Sequence, residues 1–330
     1  MPIVRRAALK LGLVDRPGGR KIHKSPVPRV GGIAIFLSGL MGAMPFLFEN
    51  RETMGILTAA TFCFLIGLLD DMLDLPPRVK LAGQIAACTI LVVFGVKIDF
   101  VTDFIAGKGQ IALGLLTYPL TFLWVIGLTN TVNLVDGVDG LAGGIVFIAL
   151  GTLLSIRLVM PGAQDLELMH NVLVMSAALM GGLLAFLRFN IFPANIFMGD
   201  SGAYFLGFMT SALSIAGAAK GSILLPLIIP LTAFGLPVLD VVLAVLRRYS
   251  KKVPIFQADK EHLHHRLLAK GFSQKETTRF LWMVSTCFGF VAILLADIPH
   301  RGIQSFAALC LIVMIFLCIF FFLSKSNARK

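Results

Sequence analysis

The sequence contains little charge for its length. Only 14% of its 330 residues are Asp, Glu, Lys or Arg, whereas 57% are hydrophobic, and the mean hydropathy is +0.88. A soluble core in a chain of this length could not bury so much apolar surface. The composition therefore excludes an ordinary soluble protein and predicts an integral membrane protein.

Signals of several other classes are also lacking. The first 24 residues are basic without an apolar core, so they are not expected to act as a secretory signal. We find no P-loop, internal repeat, low-complexity tract or soluble domain, which favours a single membrane domain over residues 1–330. The five cysteines lie inside apolar runs without metal-ligand spacing, which indicates packing residues: Cys63, Cys88, Cys287, Cys310 and Cys318.

Apolar runs of about the 20 residues that cross a bilayer recur along the chain. Backbone polar groups cannot stay unpaired in lipid, so runs this continuous predict helices rather than barrel strands. The predicted fold is an all-α polytopic transmembrane helical bundle of about ten spans. These lie near residues 31–48, 54–69, 81–96, 111–128, 141–160, 171–187, 202–219, 222–246, 280–296 and 303–323.

The basic residues are distributed unequally between the two sides of this predicted bundle. Ten spans place both termini on one side, and all but six of the 29 Lys and Arg residues fall in segments on that side. By the positive-inside rule that side is cytoplasmic. It includes a basic N-terminal segment, residues 1–30, and a long loop, residues 247–279. This basic face suits anionic lipid or phosphorylated ligands, and nothing supports nucleic-acid binding.

Acidic residues collect at the predicted cytoplasmic ends of the spans. Taken alone, each acidic motif has an ordinary explanation, such as solvated charges at a helix end or an Asp-Gly turn. Their coincidence in short connections on one face favours a shared site. The motifs are LLDDMLDL with Asp70, Asp71 and Asp74, NLVDGVDG with Asp136 and Asp139, and FMGDSG with Asp200.

A cation is expected among these carboxylates. Like charges at the membrane boundary repel one another unless a cation lies between them. Magnesium suits a carboxylate-only ligand set and leaves positions for phosphate, and Mn²⁺ could replace it. Neighbouring glycines such as Gly137 and Gly199 let backbone N–H groups approach phosphate oxygens. The pattern predicts a site for a diphosphate and its metal.

A histidine cluster lies in the long predicted loop. The motif HLHHRL contains His262, His264, His265 and Arg266. Histidines are also ligands for a softer ion such as zinc, so that alternative stays open. We favour phosphate binding because Lys260 and Arg266 flank the cluster and no cysteine accompanies it.

Five motifs in this order resemble the polyprenyl-phosphate N-acetylhexosamine-1-phosphate transferases. They are DRPGGRKIHKSPVPRVGG, DDMLDL, NLVDGVDGLAGG, NIFMGDSGAYFLGF and ADKEHLHHRLL, and the resemblance covers residues 4–275. The forms RKxHxxPxPRxGG and AD before HLHHRL look more like the WecA/TagO branch, which uses UDP-GlcNAc, than the MraY branch, which uses UDP-MurNAc-pentapeptide. Relatives of the first branch usually carry another span before the RKxH segment.

The resemblance implies transfer of N-acetylhexosamine 1-phosphate from a UDP-sugar to undecaprenyl phosphate, with release of UMP. The sugar would be GlcNAc, with UDP-MurNAc-pentapeptide or another UDP-N-acetylhexosamine as the alternative donor. The enzyme would lie in the bacterial inner membrane with its site facing the cytoplasm, and would begin the synthesis of teichoic acid, O-antigen or another surface polysaccharide. A homodimer is compatible with the sequence. The chief physical problem is repulsion between two anionic phosphates, which a metal and basic residues would reduce.

The resemblance also implies roles for individual residues at the reacting phosphates. Asp200 would bind the metal, with Asp136 or Asp139 as further candidates. Asp70 and Asp71 would position or deprotonate the lipid phosphate. The diphosphate would be held by His264, His265 and Arg266, with His262 and Lys80 in the same region.

Further residues are implied on the nucleoside side of the site. Phe197 would stack on uracil, although an ordinary packing role for one of 27 phenylalanines is the alternative. Asn130 and Asn133 would order the loop or bind ligand, and Asp240 would be a buried polar partner or part of the site. The other nucleoside candidates are Lys24, Asn190 and Asp139.

A transporter and a structural scaffold are the alternatives to a transferase. Acidic residues inside membranes often mark ion pathways, so a transporter is the main rival. Transporter sites usually lie near the midplane between repeats, whereas these acids collect at one face and no repeat is found. A structural scaffold would leave the clustered acids unexplained.

Overall fold

The computed structural model describes residues 1–11, 14–15, 26–46, 50–102, 110–159, 166–217, 235, 238, 240, 248 and 263–296. The predicted span 303–323 lies outside these residues, as does nearly all of span 222–246. Two site candidates, Lys24 and His262, also lie outside them.

Helices make up most of the described chain. They are α1 Pro2–Leu11, α2 Gly31–Ala43, α3 Arg51–Leu73, α4 Pro77–Val93, α5 Thr117–Val135, α6 Leu141–Val159, α7 Leu166–Asn190, α8 Gly199–Ala216, α9 Leu263–Ala269 and α10 Gln274–Ala296. Short 3₁₀ turns span Met44–Phe46 and Gly114–Leu116.

Two short antiparallel strand pairs interrupt the helices and were not predicted. Strand β1 (Val14–Asp15) pairs with β2 (Val27–Pro28), and β3 (Phe100–Thr102) pairs with β4 (Gln110–Ala112). The predicted loop 247–279 also contains more order than expected, since α9 and the start of α10 fall within it.

The helical and membrane predictions are confirmed in their general form. Each predicted span that the described residues cover corresponds to one helix, from α2 to α8 and then α10. Four segments of the described chain are long and apolar enough to cross a membrane: Arg51–Leu73, Gly114–Val135, Leu141–Leu158 and Glu167–Asn190. The total of ten spans and the side of the termini stay predictions.

The turn between α3 and α4 sets the position of the first acidic motif. The Asn50 side chain caps the start of α3 by accepting hydrogen bonds from Glu52 N and Thr53 N. The helix ends at Leu73, the next residue Asp74 caps it in a left-handed conformation with φ 52°, and α4 begins at Pro77. This short connection brings the end of α3 next to the start of α4.

Helix α8 lies at the centre of the described bundle. Every residue from Ser201 to Ile215 is buried, and α2, α3 and α5 pack against it. Close approach depends on small residues: a Cβ atom at Gly67 of α3 would lie 2.6 Å from the Asp200 carbonyl oxygen. The N-terminal end of α8 is therefore enclosed by the ends of other helices.

Asn130 and Asn133, which we expected to lie in a loop, belong to the helical stretch TNTVNLV, residues 129–135. It forms the last turns of α5, and only residues 136–140 connect α5 to α6. Polar side chains in these turns bond back to carbonyls four residues earlier, Thr129 to Val125 O and Thr131 to Gly127 O. Polar residues thus continue the helix because their groups are satisfied along its own axis.

Candidate active site

Three of the predicted site motifs meet at the N-terminal end of α8. Asn133, near the end of α5, donates from Nδ2 to Asp200 Oδ1 at 2.6 Å. The Asp200 backbone N–H donates to Asp71 Oδ1 at 2.8 Å. Residues from α3, α5 and α8 that are far apart in sequence therefore form one polar cluster, and its centre is Asp200.

Asp71 caps α8 although it belongs to α3. Its Oδ2 accepts hydrogen bonds from Ser201 N at 3.0 Å and Ser201 Oγ at 2.7 Å. The first N–H groups of a helix have no partner within the helix, and a carboxylate also interacts favourably with the positive end of the helix dipole. Asp71 provides this compensation from a neighbouring helix.

Arg29 is a site residue that the sequence analysis did not select. Its Nε lies 3.2 Å from Asp71 Oδ1, and its Nη2 lies 3.1 Å from Asp200 Oδ2. The guanidinium thus bridges two carboxylates from different helices and is 43% exposed. The available signal was its place in PVPRVGG, a motif from which only the family resemblance was inferred.

Asp70 and Lys80 form a second charged pair beside this cluster. Asp70 is buried, and its Oδ2 lies 2.6 Å from Lys80 Nζ. Its other oxygen accepts a hydrogen bond from Leu75 N at 2.9 Å, which stabilises the turn after α3. The expected proximity of Lys80 to Asp70 is therefore present. Asp74, the third acid of the motif, is exposed.

Asp136 follows α5 directly and lies among other acids. Desolvation by the surrounding protein raises the pKa of its carboxyl well above the usual range, and the Asp200 charge raises this pKa further. The positive charge of Arg29 opposes these effects without cancelling them. Within the described chain, no hydrogen-bond donor reaches the Asp136 carboxylate. Such a group favours either a proton or a bound cation.

Asn190 and Asp139 shape the loop between α5 and α6. Asn190 accepts a hydrogen bond from Gly140 N at 2.9 Å and donates one to Ile196 O at 2.8 Å. Asp139 Oδ2 accepts one from Ala194 N at 3.0 Å. Asn190 is only 4% exposed. Both residues order the segment before α8 in this structure, and their expected nucleoside contacts stay predictions.

Asn130 also has an internal partner. It forms a reciprocal amide pair with buried Gln84 of α4, with distances of 2.7 and 3.3 Å. This pair joins α4 to α5 one helical turn from Asn133. We expected Asn130 to order a loop or to bind ligand. In the structure it orders two helices, because its amide pair joins α4 to α5.

The segment before α8 is fixed to the N-terminal part of the chain through Phe197. Its N–H donates to Pro28 O, and its carbonyl accepts from Gly31 N, both at 2.8 Å. The Phe197 ring is partly exposed. Stacking on a uracil ring stays a prediction for this residue.

Helix α9 brings the histidine motif to the loop of the NLVDGVDG motif. His264 is buried, and a Cβ atom at Gly137 would lie 3.1 Å from its Nε2. His265 is close, with the two ring centroids 4.3 Å apart. Arg266 is exposed. Asp240 accepts a hydrogen bond from Leu263 N at 2.9 Å and so stabilises the start of α9.

The donor set fits a hard cation that shares its ligands with a substrate. Among the described residues, no three His, Cys, Asp or Glu side chains form a group that could hold a metal ion by themselves. Magnesium usually binds through one or two carboxylates together with water and phosphate oxygens. Asp200 and Asp136 would supply those carboxylates, and the fit to Mg²⁺ stays a prediction.

Comparisons with known proteins agree with this arrangement. Residues 53–218 match the model of glycosyl transferase family 4. The chain is 38% identical over 296 residues to a probable undecaprenyl-phosphate N-acetylglucosaminyl 1-phosphate transferase of Bacillus subtilis, covering 89% of this chain and 80% of the relative.

Two further relatives have corresponding names. The decaprenyl-phosphate N-acetylglucosaminephosphotransferase of Mycobacterium tuberculosis is 36% identical, over 87% of this chain and 77% of the relative. The undecaprenyl-phosphate alpha-N-acetylglucosaminyl 1-phosphate transferase of Escherichia coli is 27% identical, over 90% and 80%. This chain belongs to glycosyl transferase family 4, as one of its polyprenyl-phosphate N-acetylhexosamine-1-phosphate transferases.

Proposed function

We propose that this protein is a multi-pass enzyme of the bacterial inner membrane that transfers N-acetylglucosamine 1-phosphate from UDP-GlcNAc to undecaprenyl phosphate. The observation that carries the proposal is the cluster of Asp71, Asp200, Asn133 and Arg29 at one end of the bundle. The names of relatives that align with almost 90% of the chain support the same donor sugar and acceptor. The product would serve as the start of a surface polysaccharide.

The reaction exchanges one phosphoanhydride bond for another. An oxygen of the lipid phosphate attacks the phosphorus that carries the sugar, and the bond from that phosphorus to the UMP oxygen breaks. The products are undecaprenyl diphosphate-GlcNAc and UMP, so the reaction needs no ATP and is reversible. The phosphate monoester has a second pKa of about 6 and is largely ionised at neutral pH. Overcoming repulsion between the two anions is therefore the main task of the site.

The acceptor end of the site is suited to a lipid phosphate. The ammonium group of Lys80 is partly exposed and lies beside Asp70. Around this pair, Met72, Leu73 and Val79 expose large apolar side chains. A polyprenyl chain can therefore lie against an apolar surface while its phosphate approaches Lys80. Asp70 would hold the Lys80 side chain in place.

The donor end would be formed by the residues around Asp200. Arg29, Arg266 and the adjacent histidines would contact diphosphate oxygens and reduce their charge during transfer. When bound at Asp200 and Asp136, Mg²⁺ would supply additional charge neutralisation at the diphosphate, and Mn²⁺ would be the substitute. The active site would face the cytoplasm, where the basic segments are predicted to lie.

A transfer assay tests the proposal. Purified protein in detergent is given undecaprenyl phosphate, Mg²⁺ and radiolabelled UDP-GlcNAc, and labelled lipid and released UMP are measured. We expect labelled lipid that requires Mg²⁺ and disappears when UMP is added in excess. Asp200→Asn should reduce the rate by at least about 100-fold because a metal ligand is lost.

The matched control is Asp99→Asn. Asp99 pairs with Lys97 beyond the far end of α4, and the rise of that helix from Lys80 to Val93 is about 20 Å. Its replacement should leave the rate near that of the wild type. Label only from UDP-GalNAc or UDP-MurNAc-pentapeptide would change the donor, and no label from any UDP-sugar would contradict the transferase proposal.

A further inference from the structure

Four hydrogen-bond donors surround the Asp71 carboxylate. Oδ1 accepts from Asp200 N at 2.8 Å and lies 3.2 Å from Arg29 Nε. Oδ2 accepts from Ser201 N at 3.0 Å and Ser201 Oγ at 2.7 Å. A carboxylate offers about four acceptor sites. With four donors around it and a side chain only 7% exposed, Asp71 has little capacity left for substrate.

The contacts of Asp71 determine where Asp200 lies. Two of its four donors are consecutive backbone N–H groups in the first turn of α8, one of them belonging to Asp200 itself. The preceding residue, Gly199, has φ 78°, and a Cβ atom there would lie 2.6 Å from Asp71 Oδ2. Glycine therefore permits the carboxylate to approach the helix this closely.

Asp70 has a different environment although it is the adjacent residue. Its carboxylate pairs with Lys80, accepts from Leu75 N and interacts with the side chain of Asp200, whereas among the described residues no backbone N–H group of α8 donates to it. Successive helical residues point about 100° apart, so Asp71 reaches the backbone of α8 whereas Asp70 faces Lys80 and the side chain of Asp200. The two carboxylates need not share one chemical task.

We propose that Asp71 is a positioning residue, which together with Ser201 fixes the first turn of α8 so that Asp200 is held at the metal and diphosphate. This inference rests on the proposed function, in which Asp200 binds the metal. It assigns a role to Ser201 and separates Asp71 from any residue that accepts a proton from the lipid phosphate. Partners that orient a metal ligand typically contribute 10-fold to about 100-fold in affinity or activity.

The test compares Asp71→Asn, Ser201→Ala and the double variant in the detergent-purified full chain. Mn²⁺ is the probe, added with saturating UMP to supply phosphate oxygens, and its dissociation constant is read from the electron paramagnetic resonance signal of free Mn²⁺. Asp71→Asn should weaken Mn²⁺ binding by roughly 10-fold or more, and Ser201→Ala by a smaller factor. The double variant should be close to Asp71→Asn alone, since both changes disrupt the same contact.

The pH dependence of transfer provides a second measurement. Asn keeps one acceptor oxygen and can still cap a helix, so Asp71→Asn should retain measurable activity and the acidic limb of the wild-type pH–rate profile. The control is Asp74→Asn, which changes an exposed acid of the same motif at a left-handed position that Asn also adopts readily. It should leave Mn²⁺ binding unchanged.

Several results would overturn the positioning role. One is loss of transfer in Asp71→Asn with wild-type Mn²⁺ affinity, together with a silent Ser201→Ala. Another is loss of the acidic limb, which would make Asp71 the base, and a third is absence of Mn²⁺ binding by the wild type. If Asp71→Asn fails to fold, the Mn²⁺ affinity of Ser201→Ala tests the positioning role, and a wild-type affinity in that variant would contradict it. Weakened Mn²⁺ binding without transfer from any UDP-sugar would instead contradict the proposed function and leave the positioning role intact.

Discussion

Charges at this site are compensated in pairs, and the compensation differs from one carboxylate to the next. Asp70 has a lysine, Asp71 has a helix N-terminus and an arginine, and Asp200 has an arginine and an amide. Asp136 is the described acid of the cluster without such a donor. A carboxylate among other carboxylates is destabilised unless it binds a cation or a proton. The protonation of Asp136 should therefore respond most to metal binding.

Asp136→Asn is expected to stabilise the metal-free protein. The pKa of this carboxyl is raised in the folded state, so at pH above that pKa its charge costs folding free energy. Its position at the C-terminal end of α5 adds an unfavourable interaction with the helix dipole. An increase in unfolding temperature of about 2 °C, the effect of roughly 1 kcal/mol in a protein of this size, is expected at pH 7.5 in EDTA.

The gain should depend on pH in a defined direction. A carboxyl with a raised folded-state pKa binds its proton more tightly when folded, so the wild type loses stability as the pH rises through that pKa. The stability advantage of Asp136→Asn should therefore vanish near pH 4, where Asp136 is protonated in the folded wild type and is as neutral as the Asn that replaces it. Thermal unfolding of the wild type and of Asp136→Asn between pH 4 and pH 7.5 measures this difference in stability. An unchanged or lower unfolding temperature at pH 7.5 would show that Asp136 is already compensated.

At the scale of elements, apolar runs predicted where helices occur but not where they end. The predicted span 54–69 corresponds to a helix that begins at Arg51 and continues to Leu73, because the Asn50 cap and the left-handed Asp74 determine its ends. Similarly, α5 continues past the predicted span because its polar side chains bond to its own carbonyls. Hydropathy reports the apolar core of a helix, whereas caps determine its length.

The same limit applies to the site. Sequence motifs identified which acidic residues gather near α8, because motif order and predicted sidedness place them at one face. They did not identify the partners of Asn130 or Asn190, which are an amide and backbone groups of other segments. They also missed Arg29 and Ser201. Such partners are selected by tertiary packing, and no local pattern records them.

The packing of α3 against α8 provides a test at this scale. Gly67→Ala introduces a Cβ atom 2.6 Å from the backbone of Asp200 and Ser201, and helix backbones cannot yield as a flexible side chain can. Separation of the two helices would move Asp71 away from the first turn of α8. We expect a lower unfolding temperature and about 10-fold or greater loss of transfer activity, as for other disturbances of ligand orientation.

Gly181→Ala is the matched control. Gly181 lies within α7, and a Cβ atom there would have no neighbouring atom of the described structure within 4 Å. Because alanine favours a helix by up to about 1 kcal/mol over glycine, this variant should be neutral or slightly more stable. Equal effects of the two variants on unfolding temperature and transfer would show that the Gly67 contact does not set the site geometry.

At the scale of the whole molecule, the position of the site at one end of the bundle matters for its substrates. Asp71 lies twenty residues after Arg51 in one continuous helix, a rise of about 30 Å, which is close to the thickness of the hydrocarbon core. Thr278 near the start of α10 donates to the Asp139 carbonyl, so the start of α10 lies on the same side as the site. The two ends of α3 should therefore face opposite sides of the membrane.

This arrangement predicts which positions a membrane-impermeant maleimide can label in intact cells. Arg51→Cys should react from outside, whereas Lys275→Cys, which is exposed at the start of α10, should react only after permeabilisation. The unsubstituted protein measures the background from the five native cysteines; among the described ones, Cys63 and Cys88 are buried and Cys287 is partly buried. A nucleotide sugar is charged and does not cross the bilayer unaided, so the donor must reach the site from the compartment that contains it. Labelling of Lys275→Cys from outside would place Asp200 and its cluster on the outer face, and a cytoplasmic UDP-sugar could then no longer be the donor.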